Sequence, residues 1–181
     1  MGIYLNPGND LFYSTVTYSE IYVDKTMLIS FTNKCLFGEN KEICVSRPRR
    51  FGKSMAANML KAYYSRGCDS REMFQGLKIA KHTGFEEHLN QYNVIHLNMR
   101  DYLTESENMK QLIQFVEEDL LDELQQEFAD LRMPRRKTLV KVLEQAFAQY
   151  KIPFVFIIDE WDCIFRVHKS DAASQKTYLD F

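Results

Sequence analysis

The chain has 181 residues, 45% hydrophobic and 13% aromatic, which suits one domain over 1–181 with a buried core and excludes a disordered segment. Its 23 basic residues against 25 acidic ones leave a net charge of −2, so no general attraction to nucleic acid or an anionic membrane is expected. No apolar run approaches the ~20 residues of a bilayer span and no export signal opens the chain, so a cytoplasmic protein without membrane contact is expected.

In chain order, residues 1–20 read as an irregular leader, because Leu5-Asn6-Pro7-Gly8-Asn9-Asp10 is rich in turn formers. Asp24 reads as the N-cap of a helix with Leu28, Phe31, Thr32 and Cys35 inward, ended by Gly38-Glu39-Asn40. Ile43-Cys44-Val45 reads as a first core strand. A helix is predicted from Lys53 to Arg66, with Ala56, Met59, Leu60 and Tyr63 inward and Gly67 as the stop. Residues 68–92 read as short helical pieces, and Asn93–Met99 as a second strand. Glu107–Leu131 is predicted as a long acidic helix, with Leu112, Val116, Leu120, Leu124 and Phe128 at four-residue spacing. Pro134 breaks it, and Thr138–Tyr150 reads as a further helix with Leu139, Val142, Leu143, Ala146, Phe147 and Tyr150 inward. Pro153 leads into the apolar run Phe154–Ile158, and Ala172–Phe181 reads as the start of another helix.

Two stretches carry chemistry. The first is Arg47-Pro48-Arg49-Arg50-Phe51-Gly52-Lys53-Ser54, set between a predicted strand and a predicted helix. Strand, tight loop, Gly-Lys-Ser and helix is the order of a phosphate-binding P-loop, whose amides face phosphate at the positive end of the helix dipole. Arg47 stands where the usual motif has its first glycine, and Pro48 has no N–H to donate, so the guanidiniums of Arg49 and Arg50 would replace part of the backbone cradle. Lys53 would reach the β- and γ-phosphates and Ser54 would hold Mg²⁺. Read alone, the octamer fits a basic surface turn equally well.

The second stretch is Phe154-Val155-Phe156-Ile157-Ile158-Asp159-Glu160, which reads as a buried parallel strand with acids at its C-terminal end, where open α/β sheets place their ligands. Asp159 suits a Mg²⁺-holding role and Glu160 that of a general base for the attacking water. The pair of motifs, in this order, favours the nucleotide reading over two unrelated surface features. No guanine-reading Asn-Lys-x-Asp segment is present, which favours ATP.

With Tyr22-Val23-Asp24-Lys25-Thr26, Met73-Phe74-Gln75-Gly76-Leu77-Lys78-Ile79 and Ile158-Asp159-Glu160-Trp161-Asp162, the loop resembles the bacterial AAA-ATPase-like proteins over nearly the whole chain. The resemblance implies an α/β P-loop NTPase fold of AAA type, in the additional-strand class, with a parallel sheet flanked by helices. It makes the arginine in place of glycine a family trait. Trp161 stands where the family has tyrosine, so no role of that hydroxyl carries over. In such sheets a sensor strand follows the acidic strand and inserts beside it. Here the sensor strand, the arginine-finger strand and the helical lid are expected to be missing. The chain is therefore expected to be a truncated product or fragment, with apolar edges that invite homo-oligomerisation.

The resulting expectation is an ATP- and Mg²⁺-binding ATPase, hydrolysing if completed by the missing parts, with Lys53 and Glu160 as catalytic residues. A non-catalytic nucleotide-binding or interaction module is the alternative. Arg132, Arg135, Arg136 and Lys137 read first as a solvated turn, with nucleic-acid contact as the sharper reading. Cys44 and Cys163 read as small core residues; no disulfide and no structural metal are expected from the scattered cysteines and histidines. Asn98 and Asp101, at the end of the second strand, read first as capping or turn residues, with an approach to the γ-phosphate as the sharper reading.

Overall fold

The computed structural model describes residues 2–46, 48 and 50–181. Its centre is a parallel pair, β1 (Asn93–Asn98) and β2 (Phe154–Asp159), in a register that sets Asn93 opposite Phe154 and Asn98 opposite Asp159. Parallel neighbours need a long crossover. Here it consists of α6 (Met99–Glu105), α7 (Met109–Glu127) and α8 (Leu139–Tyr150).

Alternation sends successive side chains of each strand to opposite faces. Val94 and Ile157 join one apolar cluster with Phe12, Ile29, Met59, Tyr63 and Phe74. These come from α1 (Asp10–Tyr18), α2 (Met27–Cys35), α3 (Lys53–Tyr64) and α4 (Arg71–Phe74). Ile95 and Leu97 face the other way, onto Leu112, Val116, Leu120 and Leu124 of α7 and Val142 and Ala146 of α8. The result is helix, sheet, helix, the layering that a parallel sheet requires. The four-residue spacing of α7 emerges as predicted, with Leu112, Val116, Leu120, Leu124 and Phe128 all buried. α8 also follows its prediction: the Thr138 hydroxyl accepts from the Lys141 N–H at 3.4 Å and caps it. Its Phe147, expected inward, is 47% exposed.

The outer edge of β1 is covered by the first residues of the chain. The Asn6 N–H donates to the Val94 carbonyl at 2.7 Å and the His96 N–H to the Tyr4 carbonyl at 2.9 Å. Glu123 of α7 holds this segment. Its carboxylate accepts from the N–H groups of Ile3, Tyr4 and Leu5 at 2.7, 3.0 and 2.6 Å. Residues 1–20 are thus not an irregular leader: 4–6 lie along the sheet and 10–18 form α1, where fully buried Phe12 stacks on Phe74. The turn formers had signalled only the bend between the two.

Four further expectations change. Ile43–Val45 makes no strand, and Ile43 and Val45 are 40% and 49% exposed. An extended segment gains ladder bonds only from a neighbour, and the only named strands among the described residues are β1 and β2. Cys44 is accordingly exposed, whereas Cys163 is buried. β2 is not buried on both faces. Phe156 and Ile158 are about half exposed, because the α7–α8 layer that covers their neighbours Ile95 and Leu97 does not extend over them. Finally, α2 turns Ile29, Ser30 and Thr32 inward and leaves Phe31 exposed. Its polar side chains are satisfied inside: Thr32 Oγ1 lies 2.6 Å from the Tyr64 hydroxyl and Ser30 Oγ lies 2.9 Å from His82 Nε2.

The chain closes with α9 (Cys163–Val167) and α10 (Ala172–Asp180). Arg132, Arg135, Arg136 and Lys137 lie exposed in the α7–α8 turn. Among the described residues, no helix is long and apolar enough to cross a membrane.

Candidate functional site

The loop before α3 turns through two left-handed residues, Arg50 (φ 67°) and Gly52 (φ 80°). Glycine takes that conformation freely; for Arg50 it costs on the order of 1–2 kcal/mol. Gly52 is the N-cap of α3, and the first intrahelical bond runs from the Ala56 N–H to its carbonyl at 3.0 Å. Helix geometry assigns no intrahelical acceptor to the N–H groups before Ala56, those of Gly52, Ser54 and Met55 among them. The N-cap glycine has no side chain to cap this end, and its first turn carries no acid. An anion is the natural partner for such a terminus.

These residues line an open cleft of about 330 Å³. Its walls are Pro48, Arg50, Gly52, Lys53, Ser54 and Met55 from the loop and helix start, Arg100 from α6 and Glu160 after β2. Arg50, Lys53 and Arg100 set a cationic field against the single Glu160 carboxylate.

Glu160 follows directly on the strand in a left-handed conformation (φ 53°), and its N–H donates to Asp159 Oδ1 at 2.9 Å. Its Oε2 is ion-paired with Arg166 Nη2 of α9, and the same guanidinium lies 3.5 Å from Asp162 Oδ1. The Arg166 hydrogen bond, reinforced by the charges of Arg166, Lys53 and Arg100, holds the Glu160 carboxyl below the usual range. It is therefore ionised at neutral pH.

The structure thus brings Pro48, Arg50, Gly52, Lys53, Ser54 and Glu160 to one cleft. Phe51 is 61% exposed and is not a wall of it. Asp159 lies next to the cleft, partly buried at the strand end opposite Asn98, and does not line it. Arg47 and Arg49 lie outside the described residues. Asn98 caps α6, its side chain accepting from the Arg100 N–H at 3.2 Å.

Arg100 and Arg166 escaped the sequence reading. A signal for Arg100 existed. Two parallel strands end at the same height, so residues just beyond β1 and just beyond β2 share a rim. Arg166 is four residues from Asp162 on one helical face, a pairing visible only once α9 is recognised. Among the described residues, no three His, Cys, Asp or Glu side chains cluster to hold a metal. A cation here would take its remaining ligands from phosphate and water, as Mg²⁺ commonly does.

The sequence model of one protein family, AAA-ATPase-like, described as a predicted AAA-ATPase, matches residues 8–181. No curated protein and no solved structure matches the chain.

Proposed function

This chain belongs to the AAA-ATPase-like family, whose members are predicted nucleotide-binding proteins, and on that premise we propose that it binds ATP in the cleft at the start of α3 and hydrolyses it. The observation that carries the reading is that Lys53, Ser54 and Glu160, drawn from two motifs far apart in the chain, line one cleft. The α3 amides and the Lys53 ammonium take the β- and γ-phosphates, and Arg50 and Arg100 flank them. Ser54 in the cleft and Asp159 beside it, directly or through water, would hold Mg²⁺, which would neutralise part of the triphosphate charge. Glu160, a carboxylate at neutral pH, orients water and accepts its proton, and Arg166 holds it in place. Arg166 takes one acceptor site of Oε2, and the remaining lone pairs of the carboxylate can accept from a water.

A second reading is supported by the same ion pair. A carboxylate tied to Arg166 suits a binding module whose base stays engaged until another part of the assembly releases it. The half-exposed Phe156 and Ile158 beside the outer edge of β2, which pairs with no strand among the described residues, favour association of the protein through that edge.

Calorimetric titration of ATP with Mg²⁺, together with a phosphate-release assay, tests both readings. Charge-assisted bonds contribute about 1.5–3 kcal/mol each, so Lys53→Ala weakens ATP binding at least about tenfold. Unchanged affinity defeats the assignment. Glu160→Gln keeps binding and loses phosphate release; a wild-type protein that binds ATP but releases no phosphate with Mg²⁺ present leaves only the module reading standing.

A further inference from the structure

We infer that Lys25 is a positioning residue of this phosphate site: its ammonium holds the Phe51 carbonyl so that the amides after it face the cleft. The inference rests on the reading of that cleft as a phosphate site. Lys25 Nζ donates to the Phe51 carbonyl oxygen at 3.0 Å, although the two residues are 26 apart in the chain. Among the described residues this is the one hydrogen bond of its side chain. Lys25 is exposed and does not line the cleft. A lysine in that position would ordinarily pair with a carboxylate or extend into water. Here it sits behind the phosphate loop, on a backbone oxygen.

The consequence follows from peptide planarity. In a trans peptide the C=O of one residue and the N–H of the next point in opposite directions. Fixing the Phe51 carbonyl on Lys25 therefore fixes the Gly52 N–H away from it. Gly52 needs such a constraint more than any other residue type would. Its φ of 80° is one of two signs that glycine adopts with similar ease, so the 51–52 peptide is free to flip. A flipped peptide would aim a carbonyl dipole at the anion site in place of an N–H. The contact is close on both sides, since a Cβ on Gly52 would lie 3.3 Å from Lys25 Nζ.

The neighbours of Lys25 give it a rigid base. Asp24 Oδ1 accepts from the Thr26 N–H at 2.8 Å and the Thr26 hydroxyl at 2.6 Å, and Asp24 Oδ2 accepts from the Lys78 N–H at 2.8 Å. Thr26 is fully buried, and its Oγ1 accepts from the Ile79 N–H at 3.2 Å. The Lys25 carbonyl accepts from the Leu28 N–H at 3.0 Å and starts α2. Asp24 and Thr26 thus moor the segment to Lys78 and Ile79, and Lys25 spans the gap to the loop. This accounts for three consecutive side chains of different chemistry through one task.

The test measures ATP affinity with Mg²⁺ for the wild type, Lys25→Met, Lys25→Arg and Lys53→Ala, with a thermal melt of each. Lys25→Met keeps the apolar stem and removes the donor. It is expected to melt within about 2 °C of the wild type, as an exposed substitution should, and to bind ATP about tenfold more weakly. Lys25→Arg restores the donor and recovers affinity to within about threefold. Undiminished affinity in Lys25→Met, where Lys53→Ala has lost it, overturns the inference and leaves the phosphate reading intact. Affinity in Lys25→Arg as low as in Lys25→Met overturns it as well. Undiminished affinity in Lys53→Ala brings down both.

Discussion

Acid should loosen this protein through His96, a residue outside the proposed chemistry. His96 lies on β1, on the face that packs against α3, and its Nε2 has no hydrogen-bond partner among the described residues. Burial pushes its pKa down from 6.5 to about 4; the Lys61 charge on α3 adds to this and Asp159 on the neighbouring strand opposes it. The unfolded chain takes up a proton near pH 6.5 that the folded chain refuses until about pH 4. Stability from the neutral ring is therefore complete above the unfolded pKa and falls as pH drops toward the folded one. The full effect is about 3 kcal/mol, of which about 2 kcal/mol is gone on going from about pH 7.5 to about pH 5. Urea unfolding of the wild type and His96→Leu at those two pH values, without nucleotide or Mg²⁺, isolates the term, because other titrations are common to both proteins. The wild type should lose about 2 kcal/mol more than the variant. Equal losses would show that the folded state accommodates the charged ring, and the argument from its burial would fail.

Two further outcomes follow from the geometry. Arg166→Ala removes the principal cause of the depressed Glu160 pKa, so the acid limb of the phosphate-release profile should move to higher pH, whereas a purely structural role would lower the rate without moving it. Gly67→Ala would place a Cβ 2.3 Å from the Asn6 carbonyl oxygen, forcing the first residues off the edge of β1; denaturant melts should show a loss of about 1–3 kcal/mol.

The elements that emerged as read are those whose signal is periodic and local. α7 and α8 each carry an apolar stripe at helical spacing, Asn93–Asn98 carries Val94, Ile95 and Leu97 close together, and Phe154–Asp159 is a short apolar run entered from Pro153. The Gly52-Lys53-Ser54 helix start and the Asp159-Glu160 strand end were legible for the same reason. Both are properties of a few adjacent residues, and parallel topology sets strand ends and helix starts on one rim. The periodic argument failed where polar residues were satisfied inside, as with Ser30 and Thr32 of α2, since counting apolar residues cannot detect a hydrogen-bond partner elsewhere in the chain.

Chain-local chemistry was therefore sufficient for α3, α7 and α8, the two strands and the Gly52-Lys53-Ser54 helix start, because propensity, periodicity and turn residues act between near neighbours. Folding in three dimensions settled the rest. It left Ile43–Val45 without a ladder, laid the first residues along β1 under Glu123, set Arg166 on Glu160 and carried Lys25 across to Phe51. Each of these depends on a partner many residues away or on a long side chain's choice among several reachable partners. Packing decides that choice, and the spacing of letters does not record it.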